Sequence, residues 1–210
     1  MKNHPWKSIA ALAAVLLAWP AAAQTRYSSQ PNACSVKIDG SSTTHDWEME
    51  GKMIGGFIEL GSSVKFDATL KDGPIQAKSH AIIPITSIHS KAEHMPNVMD
   101  NLMKDALRGD QFPRIEYTLT GMTFKGPHSA AAPYNFDTTG ELTIGGVTNK
   151  VSFPITIQTL DEGKIKLNAS VPLKMTSYKV DPPAPNIGLG LMKCADDVKI
   201  IIDWTLKERK

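Results

Sequence analysis

Residues 140–157 read GELTIGGVTNKVSFPITI and predict a β-hairpin. Apolar residues alternate with polar or small ones on both sides of a short turn that contains Gly145, Gly146 and Asn149. Glycine and asparagine tolerate the positive φ angles that tight hairpin turns require. A period of two places alternate side chains on one face, so the pattern indicates an antiparallel pair with one buried face. Pro154 lacks an N–H and is expected where no ladder bond is needed.

Several other segments show the same alternation. The pair Gly55 and Gly56 interrupts one of them and predicts a bend or bulge. The turn Lys71-Asp72-Gly73 predicts a second hairpin, between residues 63–70 and 74–87. The predicted strands outside the 140–157 hairpin are 35–42, 47–59, 63–70, 74–87, 114–120, 164–173 and 197–206.

Residues 91–108 predict the single helix of the chain. Their apolar residues recur at helical spacing, and Gly109 follows as a stop signal. Methionine is flexible and fits irregular apolar shapes, so the Met-rich side of this helix is predicted either to pack as core or to cover an apolar ligand. Residues 126–133 and 181–194 are rich in proline and glycine and predict loops.

About eight strands with one helix predict an all-β fold, and we expect an eight-stranded antiparallel barrel. A barrel of this size is wide enough either to fill with its own side chains or to hold one small ligand. The strand patterns do not distinguish a filled barrel from one that holds a ligand.

The N-terminus predicts a secretory signal peptide over residues 1–23, followed by one domain over residues 24–210. Lys2 and Lys7 precede or flank a short apolar run, and small residues lie at positions 21–23. No stretch reaches the roughly 20 apolar residues of a transmembrane helix, so we expect a periplasmic or secreted protein without a membrane anchor.

The charge balance argues against a nucleic-acid partner. The chain has 23 basic and 21 acidic residues, and Lys2 and Lys7 would be removed with the signal peptide, which leaves no net charge. Cys34 and Cys194 are the two cysteines. In an oxidising compartment they predict either one disulfide or two buried thiols.

Histidine positions give little support for metal binding or catalysis. His89 and His94 match no metal-ligand spacing, so no metal or cofactor is expected. His45 beside Asp46 resembles an oriented base, but adjacent strand residues point to opposite faces. An enzyme that uses His45 and Asp46 stays open as one hypothesis for the function.

Four segments together resemble the YceI-like family of exported bacterial proteins. They are GSSTTHDW at residues 40–47, FPRIEY at 112–117, GELTIGGVT at 140–148 and the last strand from Val198. Their order and spacing match across nearly all of the predicted mature chain. The resemblance implies a lipocalin-like barrel whose apolar tunnel holds a polyisoprenoid chain, including the tail of a quinone.

The resemblance assigns no individual binding residue, because such a tunnel is lined by generic apolar side chains. Alternation and the helix face supply the candidates instead. The predicted ligand-binding residues are Phe57, Ile83, Met95, Met99, Leu102, Leu142, Ile144, Phe153, Ile155 and Ile157. The predicted function is sequestration of a polyisoprenoid or prenylated quinone, and a barrel filled by its own side chains, with a structural or stress role, is a further alternative.

Overall fold

A computed structural model describes residues 24–127, 133–184 and 192–209. The predicted signal peptide and parts of both predicted loops, residues 128–132 and 185–191, lie outside this range. In chain order the strands and the helix are β1 (Gln24–Ser42), β2 (Asp46–Gly51), β3 (Gly55–Gly61), β4 (Gly73–Pro74), β5 (Ala77–Pro84), β6 (Ile88–Ser90), α1 (Pro96–Ala106), β7 (Arg114–Phe124), β8 (Tyr134–Ile144), β9 (Val147–Leu160), β10 (Lys164–Lys174) and β11 (Cys194–Glu208).

The strands close into a barrel because the first and last strands pair with each other. β1 and β11 are antiparallel, with Val36 opposite Ile202. β2 and β3 both pair with β1, β5 pairs with β3, and β6 pairs with β2. β2 and β3 therefore act as one long bent strand, and β5 and β6 act as a second. The result is the predicted eight-stranded antiparallel barrel with one helix.

The hairpin predicted at 140–157 is confirmed as β8 and β9. Its turn consists of Gly145 and Gly146, with φ of 53° and 77°. Two residues with positive φ match the twist of the flanking strands. Asn149 lies beyond the turn, opposite Leu142. Every second side chain of β8, from Tyr134 to Ile144, is buried, which defines the inner wall of the barrel.

The second predicted hairpin is wrong. Residues 63–70 form no strand, and both β4 and β5 pair with β7. The apolar residues of this segment cover one end of the barrel instead. Leu70 is buried, and the Phe66 ring lies 5.2 Å from that of Tyr134, which also contacts the Phe124 ring. These rings close the end of the barrel far from α1.

The Gly55-Gly56 pair marks a bend, as predicted, and the bend changes which side chains face inward. Met49 in β2 is buried, whereas Ile58 and Leu60 are the buried residues of β3. The irregular residues 52–54 thus shift the alternation by one position, from odd to even numbers. Gly56 has φ of 116°, and a Cβ there would lie 1.9 Å from the carbonyl oxygen of His80.

The helix α1 is shorter than predicted and lies across the other end of the barrel. It begins at Pro96, whose fixed φ suits a first turn, and none of its residues is fully buried. Asp100 ties the helix to β6: one carboxylate oxygen accepts a hydrogen bond from the Ser90 amide (2.6 Å), and the other lies 2.8 Å from Nδ1 of His89.

Of the two alternatives for Cys34 and Cys194, the structure has the two free, buried thiols and not the disulfide. Cys34 lies opposite Trp204, whereas Cys194 lies opposite Ser42. Eight residues of β1 separate these two positions, which at the rise of a strand is roughly 26 Å. A disulfide requires Cα atoms within about 7 Å of each other.

Candidate functional site

The barrel is hollow, and the end beneath α1 holds an apolar cavity that we call the outer chamber. It contains about 990 Å³ of empty space, its open mouth included. One wall comes from α1, through Met99, Leu102 and Met103. The others are the ends of the strands and the segment after β10, and they include Ile38, Ser42, His45, Trp47, Met49, Ile115, Ile144, Leu173, Lys174, Met175, Tyr178, Val180, Cys194, Val198 and Ile200.

A second cavity, the inner chamber, continues into the middle of the barrel. It contains about 900 Å³ of empty space. Ile38, Ile115 and Ile200 line both chambers, so the two adjoin inside the barrel, and we call them together the tunnel. The walls of the inner chamber are inward-facing strand residues, among them Val36, Ile58, Ser79, Ala81, Ile83, Tyr117, Leu119, Met122, Thr138, Leu142, Phe153, Ile155, Leu167, Ala169 and Trp204.

The polar side chains Lys174, His45 and Ser42 of the outer chamber have hydrogen-bond partners within the protein. The Lys174 ammonium group donates to both oxygens of the Asp197 carboxylate (2.9 and 3.1 Å). The His45 Nδ1 lies 2.9 Å from the hydroxyl of Thr44, and Ser42 donates to the carbonyl of His45 (2.8 Å). His45 is exposed, and its Nδ1 atom contacts the Thr44 hydroxyl. An oriented general base would instead have this nitrogen bonded to the Asp46 carboxylate.

Trp47 forms the wall beside this rim. Its indole lies over Gly40 on β1, where a Cβ would come within 2.1 Å of the ring. The indole N–H donates to the carbonyl of Ser41 (3.1 Å). Cys194 lines the same wall, and burial raises the pKa of its thiol, which the nearby Trp47 side chain partly opposes.

The inner chamber contains three hydroxyl groups, and two of them are bound to the barrel itself. Ser79 donates to the carbonyl of Phe57 (2.9 Å) and Thr138 to that of Phe153 (2.7 Å). The hydroxyl of Tyr117 is buried and has no hydrogen-bond partner within the described part of the chain. Burial raises its pKa, with a smaller opposing effect from Thr138.

Seven of the ten predicted residues line the tunnel. Met99, Leu102 and Ile144 lie in the outer chamber, and Ile83, Leu142, Phe153 and Ile155 lie in the inner chamber. Their contact with a ligand stays a prediction, but their placement is as expected from alternation and helical spacing.

Three of the predicted residues lie elsewhere. Phe57 faces away from the tunnel because of the bend at residues 52–54, and the Arg26 guanidinium lies 3.7 Å from the centre of its ring. Met95 precedes α1 and is 57% exposed. Ile157 is fully buried near Tyr134, in the packed end of the barrel beyond the inner chamber.

Three further tunnel residues, Tyr117, Trp47 and Cys194, were not among those predicted from the sequence. Tyr117 alternates with Ile115 and Leu119, so its inward direction was readable from the sequence. Trp47 lies in the segment that carries the family resemblance. Nothing in the sequence indicated that Cys194 would face the cavity, because the chain before it has no strand pattern.

Neither a metal centre nor a spanning helix is found where the structure describes the chain. Across residues 24–127, 133–184 and 192–209, no group of three or more His, Cys, Asp or Glu side chains could hold a metal ion. Over the same ranges, α1 and the short helical turns fall below the length and hydropathy needed to cross a bilayer.

Comparison with known proteins agrees with this architecture. The sequence profile of the YceI-like domain matches residues 27–206. No curated protein gives a significant match. The crystal structure of Burkholderia cenocepacia BcnA is similar with a TM-score of 0.61 at 15% identity, over 84% of this chain and 98% of that one.

Two further solved structures share the fold. One is described as a polyisoprenoid binding domain from Saccharophagus degradans implicated in plant cell wall breakdown, with a TM-score of 0.60 at 14% identity over 87% of this chain and 98% of that one. The other is the YceI protein of Campylobacter jejuni, with a TM-score of 0.53 at 19% identity over 77% of this chain and 84% of that one.

Proposed function

The chain belongs to the YceI-like domain family, and we propose that it sequesters a polyisoprenoid lipid or prenylated quinone inside its barrel and carries or stores it in the periplasm. The predicted signal peptide over residues 1–23 supports the location. The similar domain from Saccharophagus degradans, described as polyisoprenoid binding, supports the class of ligand.

The pair of adjoining apolar chambers inside the barrel is the observation that carries this proposal. The two chambers meet at Ile38, Ile115 and Ile200, and the wall is almost wholly aliphatic or aromatic. Removing apolar surface from water contributes roughly 25 cal/mol per Å², so a chain that threads both chambers binds without any specific polar contact. A barrel filled by its own side chains would lack this space.

The tunnel also sets the direction in which a long tail is held. The rings of Phe66, Phe124 and Tyr134 close one end. The other end is covered by α1, which has no fully buried residue and touches the barrel mainly at β6. We infer that the ligand is taken up and released beneath α1.

The test is native mass spectrometry of the protein purified from the periplasm, followed by organic extraction and identification of the lipid. The expected result is one prenyl lipid or quinone per protein. A protein that arrives empty, and that takes up no prenyl lipid added afterwards, would overturn the proposal.

A matched pair of variants locates the binding space. Ala169 lines the inner chamber, whereas Ala92 lies in an exposed loop before α1. Ala169→Phe adds a ring to the tunnel and is expected to reduce the amount of bound lipid, while Ala92→Phe leaves it unchanged. Circular dichroism confirms that each variant is folded.

The enzyme hypothesis has a separate test. His45 lines the outer chamber, so a substrate bound there would pass near its ring. If the protein turns over a bound lipid and His45→Ala stops turnover while binding persists, the protein is an enzyme. Binding without turnover is the expected result.

A further inference from the structure

Thioether side chains are concentrated in the outer chamber. Among the described residues, this chamber is lined by five methionines, which are Met49, Met99, Met103, Met175 and Met192. The inner chamber has one, Met122, and the rest of its apolar lining is aliphatic or aromatic. Methionine suits an adaptable apolar wall, but unlike leucine it also brings a sulfur atom that can be oxidised.

Four of these five methionines are open to small molecules in solution, and we call them the mouth methionines. Met99 and Met103 lie one helical turn apart on α1 and are partly exposed. Met175, just after β10, and Met192, just before β11, are also partly exposed. Because the chamber that they line opens to solvent, a dissolved oxidant reaches their sulfur atoms. Met49 on β2 is only 2% exposed and is not part of this group.

Hydroperoxides oxidise a thioether by transfer of one oxygen atom. The sulfur attacks a peroxide oxygen, the O–O bond breaks, and the sulfur gives up two electrons to become a sulfoxide. With hydrogen peroxide the other oxygen leaves as water, after it takes up the proton of the transferred oxygen. A thioether has no proton to lose, whereas the thiol of Cys194 reacts through its thiolate, which burial disfavours by raising its pKa.

A sulfoxide changes what the outer chamber can bind. The oxidised side chain carries a strong S=O dipole in place of an apolar sulfur. A hydrocarbon chain that covers this group offers it no hydrogen bond, and an unpaired polar group in an apolar site is unfavourable. The wall of the inner chamber is spared, because Met122 is only 4% exposed.

From these observations, and resting on the proposed function, we propose that the four mouth methionines are a modification site for hydrogen peroxide and organic hydroperoxides, and that their oxidation to sulfoxides releases the bound lipid. The change acts at the end of the tunnel through which the ligand passes. It is reversible, because methionine sulfoxide reductases restore the thioether.

Oxidation of the wild type followed by a binding measurement tests the proposal. The protein is treated with hydrogen peroxide, the oxidised positions are identified by peptide mass spectrometry, and the affinity for farnesol is measured by displacement of a fluorescent apolar dye. The mouth methionines are expected to gain one oxygen each, while Met49 and Met122 stay unmodified. Affinity is expected to fall at least about tenfold, the size of one unpaired polar group in an apolar site. Methionine sulfoxide reductases of both stereospecificities are expected to restore it.

Met53 and Met95 supply the matched control. They are 54% and 57% exposed and line neither chamber, so they are oxidised without a change in the tunnel wall. Bound farnesol is expected to slow oxidation of the mouth methionines but not of these two.

Two multiple variants assign the loss of affinity to its site, and each is compared with its own unoxidised form. With leucine at all four mouth positions, affinity is expected to survive peroxide. With Met53→Leu and Met95→Leu, it is expected to fall as in the wild type. Circular dichroism checks the fold of both variants, and the reductase treatment of the wild type decides the question independently of them.

Four results would overturn the inference while the proposed function stands. They are mouth methionines that resist peroxide while Met53 and Met95 are oxidised, farnesol affinity that survives their oxidation, an equal loss of affinity in the variant without them, and a loss that the reductases do not reverse. If the unoxidised wild type binds neither dye nor farnesol, the proposed function fails and the inference fails with it.

Discussion

At the scale of residues, three glycines of the family-like segments each support an aromatic ring. Trp47 lies over Gly40, Tyr117 over Gly140 and the Phe112 ring over Gly146, with virtual Cβ atoms 2.1 to 2.5 Å from the nearest ring atoms. Two of these pairs join the FPRIEY segment to the GELTIGGVT segment. In each pair an aromatic ring of one segment packs on a glycine of the other, where any side chain would clash with the ring.

Gly140→Ala is expected to destabilise the barrel by about 1–3 kcal/mol, the range for overpacking a well-filled site. The added methyl group would meet the Tyr117 ring, which Phe153 prevents from moving freely. Urea unfolding measures the loss. Gly55→Ala is the control, since a Cβ at Gly55 would lie no closer than 3.7 Å to its neighbours.

A double variant tests whether the loss of stability comes from the clash with the Tyr117 ring or from the strand backbone. If the clash is the cause, Gly140→Ala costs much less in a Tyr117→Leu background, which lacks the ring. An equal loss in both backgrounds would contradict the explanation and point to the strand itself.

Cys194 is expected to report whether the outer chamber is occupied. Burial raises the pKa of its thiol, so alkylation at pH 8 is slower than that of a free cysteine, and a bound lipid slows it further by filling the chamber. Mass spectrometry of the single-cysteine variant Cys34→Ala gives the rate. In Cys194→Ala the remaining thiol of Cys34 lies outside both chambers, and a ligand effect of equal size there would contradict the prediction.

Alternation supplied five of the seven lining residues because it reports the face of a strand, and Leu142 and Ile144 share the face of β8. Helical spacing supplied the other two, Met99 and Leu102. Alternation failed at Phe57 because the irregular residues 52–54 shift the period, and no local signal in the sequence gives the size of that shift. It could not separate Ile157 from Ile155, since both face inward and differ only in depth along the barrel.

At the scale of elements, α1 behaves as a cover attached at one side. Its apolar residues Met99, Leu102 and Met103 line the outer chamber, while Val98 on its other face is 40% exposed. The contact of Asp100 with the Ser90 amide and His89 fixes the helix to β6.

Asp100→Ala is expected to release a bound ligand several-fold faster, with little change in the free energy of unfolding. The substitution removes the hydrogen bond from the Ser90 amide and the contact with His89, but it leaves the barrel walls intact. Stopped-flow dissociation of a fluorescent apolar dye measures the rate. Asp105→Ala, at an exposed position of the same helix, is the control, and equal rates in both variants would exclude a role for the Asp100 contact.

The elements that the sequence predicted well are those whose pattern and turn chemistry agree. β8 and β9 have both alternation and a Gly-Gly turn, whereas residues 63–70 have a turn signal and apolar residues but pack over the end of the barrel. Phe66 and Leu70 satisfy the same hydrophobic requirement by covering aromatic rings. Local sequence therefore indicates that these residues are buried without indicating whether a strand buries them.

At the scale of the whole molecule, a group of buried tyrosines and a thiol makes the fold sensitive to alkali. Burial raises the pKa of Tyr27, Tyr117, Tyr134, Tyr178 and Cys194 above the ordinary values of 10.0 for tyrosine and 9.0 for cysteine. The folded state thus favours their protonated forms. Their contribution to stability is complete below the ordinary pKa values and is lost as pH rises towards the raised ones.

The free energy of unfolding is expected to stay level between about pH 7 and pH 8.5 and to fall above pH 9, where the unfolded state loses protons first. Urea unfolding at a series of pH values measures this slope. In Tyr178→Phe the decline above pH 10 is expected to be shallower. A wild-type stability that stays constant to pH 11 would contradict the role of these groups.

The closed barrel was predictable from the number and spacing of the strands, but its hollow interior was not. Ile38, Ile115 and Ile200 would show the same alternation in a barrel packed solid. Whether these side chains meet across the barrel axis depends on the total volume of the inward-facing side chains of several strands. No single segment of the sequence shows that total.

The seam between β1 and β11 also fixes when this chain can finish folding. Val36 finds its partner Ile202 only after nearly the whole sequence has been made, so the contact order is high and folding is expected to be slow. Until then β1 presents an unpaired edge that could join another chain. A newly synthesised molecule therefore stays open along this edge until its last strand arrives, and the unpaired edge is open to aggregation during that interval.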